Sequence, residues 1–419
     1  MEKFFICGGK KLFGSVEISP AKNACLPIIA ACTLLSGRVF LENAPCIKDV
    51  EVMAQIIKDL GGDYCFEKNG LTLNCDDICK YEVSCEICKR ARASFFIAGG
   101  LLSRFKRAVL HFPGGCAIGD RPIDIHLSVF NQLGAVCTVD GEHVFINGEK
   151  MKSGVVNLTY PSVGATVNAI CASVTLKGCT LIKNAAKEPE IADLCNFLNL
   201  AGYDVVGGGR DEIYVNGQKN HKFKVFSYKP ICDRIEAGTF MAAVCACGGE
   251  ISFNFDNLAH VSGIIKVLKK GGAQIKCEKN RVITHMDSRF HAVNVTADVY
   301  PRFPTDMQPQ LSALCLSALG KSCICDNVFK GRFGYACELS KFGGKITVSE
   351  NSAMIVGSDK LTGKCVTATD LRGGAALVIA SLSARGNSVV QNAEVIRRGY
   401  QNFDKKLRSL GGDVKHLFK

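Results

Sequence analysis

The sequence predicts an α/β protein built from six copies of one structural unit, grouped three and three. Three observations lead there. A helix pattern ending in glycine and followed by a short alternating strand recurs at intervals of about 70 residues. A second helix pattern, apolar nearly all round and rich in small residues, recurs in step with it. A strand closing near Asn or Pro follows each of these second helices.

The glycine element appears at Leu60-Gly61-Gly62, Leu133-Gly134-Ala135, Ala201-Gly202-Tyr203, Lys270-Gly271-Gly272, Phe342-Gly343-Gly344 and Leu410-Gly411-Gly412. An amphipathic pattern precedes each glycine, which suits the left-handed C′ position, and a strand pattern follows. The small-residue helices begin near Lys22, Arg92, Ser162, Arg234, Asp306 and Arg372. A helix apolar on every face has no solvent side, so these six are expected to be buried. The third element is clearest at Val39-Phe40-Leu41-Glu42-Asn43 and Val389-Val390-Gln391-Asn392. Each copy thus holds two helices and several strands, more than the usual solenoid repeat.

Composition bounds the function. At 419 residues the chain suits two or three domains with ample core. Apolar content of 47% and charged content of 21% are those of a globular protein. No long apolar run lacks charge, so no membrane span is expected, and Met1 to Cys7 are not expected to form a secretory leader. The 23 cysteines are odd in number, and several, such as Cys171, Cys245 and Cys315, sit in apolar helix patterns as small hydrophobes. A reducing, cytoplasmic setting is expected. Cys85-x-x-Cys88 has no second pair, so no metal is expected. The net charge of +12 favours anionic partners. Nucleic acid is not favoured, because there is no Trp and no dense basic run with aromatics. Phosphorylated small molecules fit.

Two features point to such a ligand. Four of the six buried-helix starts carry Lys22, Arg92, Arg234 or Arg372, where basic residues oppose the helix dipole and anions are favoured. The other two, Ser162 and Asp306, also read as plain helix caps. The second feature is Pro113-Gly114-Gly115-Cys116-Ala117-Ile118-Gly119-Asp120-Arg121-Pro122, a glycine-rich loop after an apolar strand pattern. An arginine near a thiol lowers its pKa and also grips carboxylate or phosphate. The loop can bring a reactive Cys116 to an anion.

Ser19-Pro20-Ala21-Lys22-Asn23-Ala24, the Cys116 loop, Ser162-Val163-Gly164-Ala165-Thr166, Glu188-Pro189-Glu190, Phe303-Pro304-Thr305-Asp306-Met307-Gln308 and Arg398-Gly399-Tyr400 resemble the enolpyruvyl transferase family, in its UDP-sugar branch. The resemblance runs from Met1 to about Leu417, in register with the six repeats. It implies a two-domain inside-out α/β barrel of six βαβαββ units, three per domain, with the active site in the interdomain cleft. The expected domains are 22–230, carrying the Cys116 loop, and 1–21 with 231–419. It also implies a reaction: the 3′-hydroxyl of UDP-N-acetylglucosamine attacks C2 of phosphoenolpyruvate, C3 is protonated, and phosphate leaves, feeding peptidoglycan synthesis without a cofactor.

The resemblance assigns residues. Lys22, Arg121 and Arg398 stand where the family holds phosphoenolpyruvate, with Arg332 and Arg372 at further basic positions. Asp306 matches the base that takes the hydroxyl proton. Cys116 matches the thiol that protonates C3, adds phosphoenolpyruvate covalently and is alkylated by fosfomycin. Asn23, Arg92, Arg121, Pro122, Ile123, Asp124, Ile125, Ser162, Val163, Gly164 and Val328 match positions that hold the UDP-sugar. Tyr160 and Arg397 depart from the common pattern, where lysine and an acidic residue are frequent. The rivals are the shikimate-pathway sister enzyme, which lacks the cysteine loop, and a non-catalytic UDP-sugar-binding protein, which would be expected to lose Lys22, Cys116 or Asp306.

Overall fold

The structure is a computed structural model and describes residues 2–114, 123–218 and 225–418. Contacts divide the chain into two compact units. One is Met1–Ser19 with Cys232–Lys419; the other is drawn from Pro20–Ile231. Each unit has its own apolar core.

Among the described residues there are six sheets, and five share one pattern. A central strand takes a parallel neighbour on one side and an antiparallel strand on the other, which pairs antiparallel with a fourth. In the Pro20–Ile231 unit the first such sheet runs Val225–Tyr228, Arg38–Glu42, Gly70–Asn74, Asp63–Glu67. Another runs Val155–Asn157, Gly178–Lys183, Glu212–Gly217, Asp204–Val206. The sheet of Arg107–His111, His143–Asn147 and Val136–Asp140 has only a single parallel bridge, Glu82 to Val109, where the others have a parallel strand. In the other unit, Lys3–Cys7 supplies the third strand of the sheet containing Asn387–Gln391 and Asp413–Leu417. Leu12–Ser15 is the parallel edge of the sheet containing Gly249–Asn254. One strand pattern, complete in five sheets and lacking its parallel strand in the sixth, is what the sequence period encodes.

The small-residue helices are the buried ones. Those of the Pro20–Ile231 unit are Lys22–Cys32, Ile97–Phe105 and Val163–Ser173. Those of the other unit are Arg234–Cys247, Gln308–Leu316 and Leu371–Ser383. Small residues let them approach closely: a Cβ on Gly99 would lie 2.6 Å from the Asn168 carbonyl oxygen of the neighbouring helix. Two helix starts differ from expectation. Arg92–Phe96 and Thr305–Met307 are 3-10 turns, and the α-helices begin only at Ile97 and Gln308. Pro309 explains the second case. It has no N–H to give the Thr305 carbonyl, so regular α bonding cannot start at Asp306.

The repeat glycines do take left-handed backbone, at Gly61, Gly134, Gly202, Gly343 and Gly411; in the fourth copy the residue is Gly272 rather than Gly271. Asn43, Asn184 and Asn392, each next after a strand, are left-handed too. Among the described residues no cysteine forms a disulfide. Burial pushes the thiols of Cys171, Cys195, Cys245 and Cys315 up to about 12, which keeps them inert. No helix among the described residues is long and apolar enough to cross a membrane.

Candidate functional site

The strongest cluster of charge lies at the starts of two core helices in the unit containing Cys232–Lys419. Asp306 sits in the 3-10 turn that precedes the fifth core helix. The sequence also allowed it a helix-cap role. That reading is corrected: Pro304 is the cap position and no side-chain cap bond forms. The Asp306 carboxylate is instead held by guanidiniums from distant parts of the chain. Arg332 Nη2 donates to Oδ1 at 2.7 Å, and Arg372 Nε and Nη2 donate to Oδ2 at 3.1 and 3.0 Å. Both arginine side chains are nearly fully buried, whereas 26% of the Asp306 side chain remains exposed.

Neighbouring groups hold this triad. Arg332 Nη1 donates to Thr305 Oγ1 at 2.7 Å, and the Thr305 hydroxyl donates to Asp326 Oδ2 at 2.6 Å. Asp326 Oδ1 accepts from the backbone N–H groups of Val328 and Phe329, which turns the loop after strand Lys321–Asp326. Asp370 caps the sixth core helix through the N–H groups of Arg372 and Gly373, both at 2.9 Å. The Arg372 guanidinium lies over the Tyr400 ring, 5.3 Å from its centroid, and Arg332 lies at the same distance from the Phe329 ring. Burial works against the charge of Arg372, but Tyr400 and Asp306 outweigh it and raise its pKa above the ordinary arginine range. Two buried guanidinium nitrogens, Arg332 Nε and Arg372 Nη1, have no hydrogen-bond partner among the described residues. Unsatisfied buried donors at a half-open carboxylate are suited to receive an anion. Arg398 ends the turn Ala393–Arg398, two residues before Tyr400.

The Pro20–Ile231 unit gathers a second set. Lys22, the first residue of its helix, is buried and donates to Asp49 Oδ2 at 3.0 Å. Asn23 follows it, half-buried. Ser162 caps the helix Val163–Ser173 by accepting from Ala165 N–H at 3.3 Å. Gly164 is packed so closely that a Cβ would fall 2.7 Å from His126 Cε1 and 2.8 Å from Phe96 Cε1. Ile123 precedes the helix Asp124–Gln132, with Asp124 exposed and Ile125 half-buried at its start. That helix also carries His126, which sequence reasoning passed over. Asn168 Nδ2 donates to the Phe95 carbonyl at 2.9 Å and approaches His126 Nδ1 at 2.8 Å. Nδ1 is therefore the acceptor and the imidazole is neutral. Burial first, and the nearby Arg92 second, lower the His126 pKa to about 3. His126 thus supports Gly164 from below and lies within the field of Arg92.

Cys116, Arg121 and Pro122 lie outside the described residues. The loop's first residues are described. Gly114 N–H donates to the Cys88 carbonyl at 3.2 Å, and a Cβ on Gly114 would collide with the Lys89 backbone. Glycine at this position allows close approach to the helix Cys85–Arg90. Asp49, His126 and Asp326 were missed by sequence reasoning and belong to no motif; Asp326 alone gave a signal, as the last residue of the strand Lys321–Asp326.

The sequence matches the family described as EPSP synthase (3-phosphoshikimate 1-carboxyvinyltransferase) over residues 6–407. A UDP-N-acetylglucosamine 1-carboxyvinyltransferase 2 of Clostridium tetani is 42% identical over 419 residues, covering 100% of both chains. A UDP-N-acetylglucosamine 1-carboxyvinyltransferase 1 of Caldanaerobacter subterraneus is 42% identical over 412 residues, covering 98% of this chain and 99% of its own. Among solved structures, the enolpyruvyl transferase NikO from Streptomyces tendae superposes with a TM-score of 0.89 at 22% identity, covering 99% of this chain and 98% of its own. EPSP synthase from Acinetobacter baumannii gives 0.75 at 18% identity, covering 100% of both. At those identities the structural likeness speaks for the fold.

Proposed function

Because this chain belongs to the enolpyruvyl transferase family, we propose that it transfers the enolpyruvyl group of phosphoenolpyruvate to the 3′-hydroxyl of UDP-N-acetylglucosamine. The reaction releases phosphate and supplies peptidoglycan precursor synthesis. The hydroxyl oxygen bonds to C2 while its proton passes to a base, and C3 gains a proton from an acid. Loss of a C3 proton from the resulting adduct then expels phosphate and restores the double bond.

Asp306 is the base. The observation that carries this reading is its half-open carboxylate, gripped on both oxygens by Arg332 and Arg372. Two guanidiniums hold it ionised but make it a weak base. An anionic substrate competes for those N–H groups, and each one it takes leaves Asp306 more basic. The orphaned Arg332 Nε and Arg372 Nη1 are the first donors available to it. Lys22, Arg121 and Arg398 hold phosphoenolpyruvate, with Lys22 kept oriented by Asp49. Asn23, Arg92, Arg121 to Ile125, Ser162, Val163, Gly164 and Val328 hold the sugar nucleotide. Cys116 protonates C3, and fosfomycin alkylates its thiolate. The segments 22–230 and 1–21 with 231–419 serve as two enolpyruvyl transferase domains. The enzyme works in the cytoplasm.

The test is phosphate release on mixing both substrates, with a product heavier than UDP-N-acetylglucosamine by the enolpyruvyl group. A second reading is favoured by the family match, whose name gives 3-phosphoshikimate as the acceptor. Activity with 3-phosphoshikimate and none with the sugar nucleotide would replace the first reading with the second.

A further inference from the structure

We propose that Tyr400 is a positioning residue: its ring, locked by a pinned hydroxyl, sets the plane of the Arg372 guanidinium against Asp306. The inference rests on the reading of Asp306 as the base and extends it to a group that touches no substrate.

The geometry comes from the three core helices of this unit. Thr239 lies on Arg234–Cys247, Gln310 on Gln308–Leu316 and Arg372 on Leu371–Ser383. Tyr400 reaches all three. Its hydroxyl is 2.9 Å from Thr239 Oγ1 and 3.1 Å from Gln310 Nε2, and its ring lies under the Arg372 guanidinium. Thr239, Gln310, Arg372 and Tyr400 are all buried, so no water competes.

Counting protons fixes the direction of each bond. The Thr239 hydroxyl donates its one proton to the Ile235 carbonyl at 2.7 Å. Its oxygen can then only accept, so the Tyr400 hydroxyl donates to Thr239. Gln310 Nε2 donates to both Tyr400 and Thr239, the latter at 3.2 Å. The Tyr400 hydroxyl therefore gives one bond and receives one, and the ring cannot swing. Phe403 stacks on the ring at 4.7 Å with 29° between planes.

Arg372 needs such a support. Its Nε and Nη2 both converge on the single oxygen Oδ2, while Nη1 bonds to no described residue. Bonds to one oxygen along one edge leave the guanidinium free to tilt about that edge. The ring face beneath removes the tilt. A tyrosine present for packing alone would need neither Gln310 nor Thr239, two polar side chains placed in an apolar core. Arg332 on the other carboxylate oxygen, Asp326 behind Thr305, Asp370 at the helix cap and Asp233 at the neighbouring cap are left untouched by changes at Tyr400.

The experiment compares the full-length parent with Tyr400→Phe, Tyr400→Leu and Thr239→Val. Phe keeps the ring and loses the pin; Leu loses both; Val removes the pin from the other side. The expected turnover falls about threefold to tenfold in Tyr400→Phe and Thr239→Val, and about a hundredfold in Tyr400→Leu, with the KM for sugar nucleotide within about twofold. The acid limb of the turnover profile moves to higher pH, because a looser Arg372 no longer holds Asp306 ionised. Unchanged turnover and an unmoved acid limb in folded variants would overturn the proposal and leave Tyr400 as core packing. Should Tyr400→Leu fail to fold, the two near-isosteric variants decide alone. A 13C-carboxyl titration of Asp306, assigned by difference from Asp306→Asn, reads the same loosening without turnover. It separates a failure of this inference from a parent that never releases phosphate.

Discussion

Replacing Asp306 by Asn tests the base and the ion-pair triad together. An asparagine has one acceptor oxygen where aspartate has two, and its amide nitrogen is a donor. Either way round, one of Arg332 and Arg372 faces an N–H group where it now faces an oxygen at 2.7 to 3.1 Å. Removing one partner of a fully buried pair costs about 3–5 kcal/mol, chiefly by stranding the remaining charge. Asp306 is not fully buried, since 26% of its side chain meets solvent, and water can reach part of the gap. The expected loss is therefore about 2–3 kcal/mol, well above the few tenths of a cap substitution. In a unit of this size that lowers the melting temperature by about 5–10 °C. Turnover should fall by about 10²–10⁴-fold, because the acceptor of the 3′-hydroxyl proton is gone. Calorimetry and a phosphate-release assay read the two effects separately. Full turnover in Asp306→Asn would refute the base; an unchanged melting temperature would refute the argument that the triad's charges are held in low dielectric.

Cys116→Ala should abolish phosphate release, whereas Cys116→Asp should keep some, since a carboxylic acid can also deliver a proton, and should resist fosfomycin; inactivation of the Asp variant at the parent's rate would remove the thiol from the mechanism. The folded-state pKa of His126, about 3, lies below the unfolded value near 6.5, so its contribution is fully present above pH 6.5 and is lost as pH falls toward 3. Urea midpoints should therefore decline below pH 6.5 in the parent, by at most about 1.4 kcal/mol per pH unit from this group, and decline less in His126→Asn; parallel curves would contradict the neutral imidazole. Gly164→Ala, a change that usually favours a helix, should here destabilise by about 1–3 kcal/mol because the new Cβ meets His126 and Phe96, and it should weaken sugar-nucleotide binding seen by calorimetry; a stabilised variant would show that the contact yields freely.

The repeat was legible because its signals are local. A left-handed backbone favours Gly or Asn, so Gly61, Gly134, Gly202, Gly343 and Gly411 mark the same corner in successive copies. A helix with no polar stripe has to be buried, and the six core helices are. The site was less legible because its bonds are not local. Asp306 reads as a cap from its neighbours alone, yet its partners lie 26 and 66 residues away. Nothing in the spacing of Arg332 and Arg372 says that they share one carboxylate; only the family resemblance had set all three in one site.

The neutral polar residues were harder still. Gln310 and Thr239 interrupt apolar helices, and a pattern of hydrophobicity treats such interruptions as noise. Their meaning lies in the cost of burying them: each needs partners, and the Tyr400 hydroxyl is one that both share. The apolar core thus fixes where the helices lie to within a packing contact, while a few buried polar bonds fix the angle of one guanidinium. On the reading of Asp306 as the base, catalysis depends on that angle, since the arginine that grips its carboxylate must release it when an anion arrives.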